Sequence, residues 1–191
     1  MGRPYLIAVI GKSNKDPDDP PSPDALNAAE LVGANIAGAG AILITGGLSG
    51  VMEAASRGAK RANGLVIGML PGFKKADANK YVDVAITTGM GWMRNTLVVR
   101  AADAVIMISG GIGTLNELTV SYQDKPTVIL EGTGGWADRI REIAYGGTHL
   151  DESGSATLHF AATPEEAVDA AIALAADPTA HPKGAEKEFQ S

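Results

Sequence analysis

The sequence contains no cysteine. Disulfides, thiolate metal sites and cysteine nucleophiles are therefore excluded, and a cytoplasmic setting is expected. It contains no run of 18 apolar residues, so no membrane span is expected. The first residues, MGRPYLIAVIGKSN, lack a long apolar core followed by a cleavage site, which argues against a secretory signal. Leu6 stands where a myristoylation signal needs Ser or Thr. Excess basic charge is missing too. The net charge is −6, and no broad basic stripe exists to neutralise a nucleic-acid backbone. A small phosphorylated ligand stays compatible, because backbone N–H groups bind phosphate without added Lys or Arg.

Histidine is also scarce. His149, His159 and His181 form no H-x-x-x-H pair, so no metal site is expected. Asp16, Asp18, Asp19 and Asp24 sit in a proline-rich segment without EF-hand spacing and read as solvated charges. Lys12 is the only lysine on a strand-end loop proper, and nothing near it supports a pyridoxal Schiff base.

What is present fits a soluble α/β protein. The chain has 191 residues, 45% hydrophobic and 20% charged, with 24 glycines. That length suits one domain, expected over residues 1–176, followed by a polar, frayed tail at 177–191. Short apolar runs at 5–10, 41–45, 65–70, 82–87, 103–108, 126–130 and 158–161 read as strands. Helical segments at 24–37, 50–62, 92–102, 114–123, 136–145 and 164–176 alternate with them, with Asp24 and Thr163 as N-caps. This alternation predicts a three-layer, Rossmann-like α/β fold with a mainly parallel sheet of about six or seven strands. Ligands in such folds bind beyond the carboxyl ends of the strands, so residues just after strands carry the functional reading.

Two such segments share a phrase. ITGGLSGVME (44–53) and ISGGIGTLNE (108–117) align at a constant offset of 64 residues. Each reads as strand, hydroxyl, double glycine, turn, then a helix with Glu in its first turn. The two turns are expected side by side on one rim. Glycines allow close backbone approach, and a helix N-terminus offers unpaired N–H groups and partial positive charge. Together they suit a phosphate. Neither a P-loop nor a G-x-G-x-x-G pattern is present. Thr114-Leu115-Asn116-Glu117 also matches a capping box, and spacing alone favours that cap over catalysis for Glu117.

These residues resemble the LOG family, Rossmann-like proteins that include cytokinin-activating phosphoribohydrolases. The family carries a double-glycine turn followed by G-[LV]-M, then MHxRK, then PGGxGTxxE. The corresponding residues are Gly46-Gly47 through Gly50-Val51-Met52, Gly91-Trp92-Met93-Arg94-Asn95, and Ser109-Gly110-Gly111-Ile112-Gly113-Thr114-Leu115-Asn116-Glu117. Ser109 replaces the family's proline, and Trp92 and Asn95 replace its His and Lys. The pattern is closer to a neighbouring branch that includes molybdenum-cofactor carrier proteins.

The resemblance implies one of two ligand-binding roles. In the first, the chain hydrolyses the N-glycosidic bond of a nucleoside 5′-monophosphate. In the second, it carries a molybdenum cofactor or senses a nucleotide without turnover. The ligand is then AMP-like, a phosphate or a molybdopterin, and no cofactor is required. Gly110, Gly111, Gly113 and Thr114 would hold the phosphate, and Arg94 would pair with it or with a ribose oxygen. Glu117 would contact the ribose, stabilise oxocarbenium-like charge or orient water. Gly46, Gly47, Gly50 and Met52 would shape a second wall, and Gly11 and Ser13 could touch base or sugar. Trp92 reads as a core or interface residue rather than a stacking platform. The family commonly forms homodimers, so a homodimer is expected.

Overall fold

The computed structural model describes residues 2–182. Seven strands form one all-parallel sheet, ordered β4-β3-β2-β1-β5-β6-β7. The strands are β1 (Leu6–Gly11), β2 (Ile42–Thr45), β3 (Val66–Leu70), β4 (Val84–Thr87), β5 (Ala104–Ile108), β6 (Thr127–Leu130) and β7 (Leu158–Ala161). The helices are α1 (Pro23–Gly38), α2 (Val51–Arg61), α3 (Asn95–Arg100), α4 (Ile112–Asp124), α5 (Ile140–Ile143) and α6 (Pro164–Ala176). Every strand-to-strand connection is a crossover, as a parallel sheet requires.

Side-chain alternation explains the three layers. On β1, Ile7 and Val9 face one side, and Ala8 and Ile10 the other. On β5, Ala104, Ile106 and Ile108 join the first side, and Val105 and Met107 the second. The first side is covered by α1, α2 and α6 through Ala29, Val32, Ala55 and Val168. The second is covered by α3, α4 and α5 through Val98, Leu118 and Ile140. Both faces are buried, so the central strands are continuous apolar runs rather than alternating ones.

Three local expectations are corrected. Ser22, not Asp24, caps α1: its hydroxyl accepts from the Ala25 N–H at 3.1 Å, and Pro23 opens the helix. The segment 92–102 is two pieces, a 3-10 turn at Gly91–Arg94 and then α3. The helix expected over 136–145 shrinks to Ile140–Ile143. There the Asp138 carboxylate accepts from the Gly132 and Gly134 N–H groups at 2.7 and 2.9 Å, which fixes a turn instead of a helix. Thr163 caps α6 in a full capping box with Glu166. Asp177 caps a short 3-10 turn at Pro178–Ala180, and residues 183–191 of the expected tail lie outside the described residues. No helix among the described residues is long and apolar enough to cross a membrane.

Candidate functional site

The strand order runs outward from β1 to β4 on one side and from β5 to β7 on the other. The crevice between β1 and β5 is thus the topological switch point, where such sheets bind ligands. A cavity of about 1260 Å³ opens there.

Three strand-end segments build its walls. The first follows β1: Gly11, Lys12 and Ser13 line the cavity, as do Lys15, Pro17 and Asp19 further along the loop. The Lys12 carbonyl accepts from the Val51 N–H at 3.0 Å, tying this loop to the start of α2. Lys12 also pairs with Asp19 inside the loop.

The second wall is the turn from β2 to α2. Thr45 Oγ1 accepts from the Gly47 N–H at 3.0 Å. Asn79 clamps the turn from outside, its N–H donating to the Gly47 carbonyl and its Nδ2 to the Leu48 carbonyl, both at 2.9 Å. Gly46 allows a close approach. A Cβ there would lie 2.5 Å from Arg94 Nη1 and 2.7 Å from Met52 Sδ, so a side chain at 46 would push the guanidinium and the thioether from these positions.

The third wall is the turn from β5 to α4. Ser109 takes φ +56° and Gly110 φ +124°, which reverses the chain within three residues. The Ser109 N–H donates to Thr133 Oγ1 at 2.8 Å, and the Gly110 carbonyl accepts from the Trp136 N–H at 3.1 Å. Because the turn is this short, α4 begins at Ile112 with Gly111 at its N-cap and no side-chain cap. The capping box expected from Thr114 and Glu117 does not form. Thr114 sits at the third helical position, and Glu117 lies in the second turn rather than the first.

That shift carries Glu117 into the cavity wall, 7% exposed, opposite Arg94, 6% exposed. Arg94 Nη1 lies 3.8 Å from Glu117 Oε1 and donates to Asn95 Oδ1 at 3.2 Å. Asn95 in turn donates to Asn116 Oδ1 at 3.2 Å, fixing the start of α3 against α4. Arg94 Nε is buried and has no hydrogen-bond partner among the described residues. Burial pushes the Glu117 carboxyl up to about 8 against the opposing pull of Arg94. Burial also lowers the Arg94 guanidinium, partly offset by Glu117. Near neutral pH the carboxyl is therefore mostly protonated, while the arginine keeps its charge. A buried guanidinium with an unused donor suits an incoming anion. A carboxyl that titrates near neutrality can both give and take a proton.

The structure brings Gly11, Ser13, Met52, Arg94, Gly111, Gly113, Thr114 and Glu117 together around one cavity. Gly46, Gly47, Gly50 and Gly110 stand behind its walls. Gly47 packs on Leu70 and Gly68, Gly50 on the Lys12–Ser13 backbone, and Gly110 on Thr114 and Met107. Lining residues outside the sequence-based set include Lys15, Leu48, Asn79, Asn95 and Ile112. Asn95 had a legible signal, since it adjoins Arg94. Asn79 had none, because it lies in a polar connection far along the chain. Trp92 is not a core residue: it is 69% exposed and lines the cavity.

Known proteins agree with this architecture. A relative from Archaeoglobus fulgidus is 40% identical over 133 residues, 66% of this chain and 83% of its own length. A cytokinin riboside 5′-monophosphate phosphoribohydrolase of Mycobacterium tuberculosis is 31% identical over 142 residues, 66% of this chain and 76% of its own. Among solved structures, the molybdenum cofactor binding protein of Rippkaea orientalis superposes with a TM-score of 0.76 at 31% identity, covering 91% of this chain and 99% of that one. With the family match extending over residues 4–168, across both glycine turns and the Arg94–Glu117 pair, the chain belongs to the SLOG cluster4 family.

Proposed function

We propose that the protein binds a phosphorylated, nucleotide-like small molecule in the cavity at the ends of β1, β2 and β5, and hydrolyses the N-glycosidic bond of a nucleoside 5′-monophosphate there. The observation that carries this reading is the buried Arg94–Glu117 pair, with its unpartnered guanidinium Nε and a carboxyl raised to about 8. The phosphate is held by the N–H groups at the start of α4, by the Thr114 hydroxyl and by Arg94. With Arg94 engaged by the phosphate, Glu117 serves the glycosidic bond. Protonated, it gives its proton to the departing base nitrogen as the C–N bond breaks. The resulting carboxylate stabilises the oxocarbenium-like sugar and takes a proton from the attacking water. Base and ribose 5-phosphate leave, and the carboxyl is again protonated. The identity to the M. tuberculosis phosphoribohydrolase supports this assignment.

A second reading is carriage of a molybdenum cofactor without turnover. It is favoured by the likeness to the R. orientalis protein over nearly its whole length. It is also favoured by a cavity of about 1260 Å³, above the roughly 300–1,000 Å³ typical of small-ligand sites. One experiment separates them. Purified protein is incubated with AMP and N6-modified adenosine monophosphates, and free base is followed by chromatography beside a Glu117→Gln control. Base release that disappears in the control is the expected result. Thermal stabilisation by AMP or a pterin phosphate without any release would replace hydrolysis by carriage.

A further inference from the structure

Trp92 presents a broad exposed aromatic surface to the cavity. It is 69% exposed, in a chain with only two tryptophans. Its position is built. It rises from the 3-10 turn Gly91–Arg94, the turn that also sends Arg94 into the cavity wall. Its six-membered ring lies against Gly113, where a Cβ would come within 3.1 Å of Cζ3 and 3.9 Å of Cε3. The absent side chain at 113 therefore seats the indole on the first turn of α4, beside the N–H groups offered to phosphate. What stands over the ring is Lys15 Nζ, 5.6 Å from its centroid, carried by the loop that follows β1. That ammonium is within cation–π range of the ring, yet Trp92 remains 69% exposed. Pro17 and the exposed Ile112 line the same cavity.

We propose that Trp92 is the stacking platform for a bicyclic heteroaromatic ring, purine or pterin, on the phosphorylated ligand, with Gly113 making room for it and Lys15 yielding the position on binding. The inference rests on the phosphate-binding reading of this cavity and adds the residue that holds the ligand's ring. An indole face carried on the same 3-10 turn as a buried arginine selects a molecule with a flat ring at one end and a phosphate at the other. A flat ring removes apolar area from water that ribose 5-phosphate leaves exposed.

The test compares ribose 5-phosphate, AMP and neopterin monophosphate by calorimetry on the parent protein, Trp92→Ala and Trp92→Phe. The alanine variant is expected to lose about tenfold or more in affinity for a ring-bearing phosphate and to hold ribose 5-phosphate within twofold. Phenylalanine is expected to restore most of the loss. The ring that suffers more, purine or pterin, identifies the source. In a Trp136→Phe background Trp92 is the sole tryptophan, and AMP should quench its fluorescence where ribose 5-phosphate does not. Equal losses for all three phosphates would make Trp92 structural and overturn the proposal, as would unchanged affinities for both ring-bearing ligands. If none of the three binds the parent protein, the phosphate reading of the cavity falls, and this inference with it.

Discussion

The two glycine turns are near-copies in sequence and differ in space. The β2–α2 turn uses five residues and delivers Glu53 to the first turn of its helix. The β5–α4 turn uses three and delivers Glu117 to the second turn. Glu53 is half-buried at a helix N-terminus, where a negative charge is favoured. Glu117 is buried against Arg94 and its carboxyl is raised to about 8. A difference of two residues in where a helix starts thus separates a half-buried carboxylate on the cavity wall from one buried against Arg94.

Two substitution pairs sharpen or break this contrast. Glu117→Gln is expected to lower base release by about 10²- to 10⁴-fold, the range for a lost acid–base group, while Glu53→Gln stays within about threefold. Equal losses measured by steady-state kinetics would erase the distinction.

The next effect is on stability. The folded Glu117 holds its proton up to about 8, whereas the unfolded residue releases it near 4.5. Across that window the folded state binds more protons, so stability falls as pH rises through it. Glu117→Gln should remove this dependence and add about 3 kcal/mol at pH 7, because each pH unit climbed above the unfolded titration costs the folded state roughly 1.36 kcal/mol. Denaturant unfolding at pH 5, 6, 7 and 8 decides it.

The smallest effect concerns the hydroxyls that pin each turn. Thr45→Val and Thr133→Val each orphan one buried N–H, of Gly47 and Ser109 respectively, and each should cost about 1–3 kcal/mol. Only Thr133→Val should also move the Glu117 titration, because only that turn sets the start of α4. Calorimetric melts and the pH profile of unfolding read both.

Much of the architecture was legible. The alternation of apolar runs and helical segments placed all seven strands, and β7 and α6 carry the expected bounds. Thr163, Pro164 and Glu166 spelled a cap that the backbone obeys. The same grammar misled at Thr114 and Glu117, because capping-box spacing says nothing of the turn before it. Only the left-handed backbone at Ser109 and Gly110 moves the helix start to Ile112. The grouping of Arg94 with Glu117 followed from the family motif and from both lying in segments after strands. The burial that raises the carboxyl did not, since it arises from α3 and α4 packing together through Asn95 and Asn116.

Ser109 also limits which residues the turn accepts. Proline holds φ near −65° and has no N–H to donate, whereas Ser109 sits at φ +56° and gives its N–H to Thr133. Proline at 109 would therefore force the turn to be rebuilt, whereas glycine would keep both the left-handed backbone and the donor.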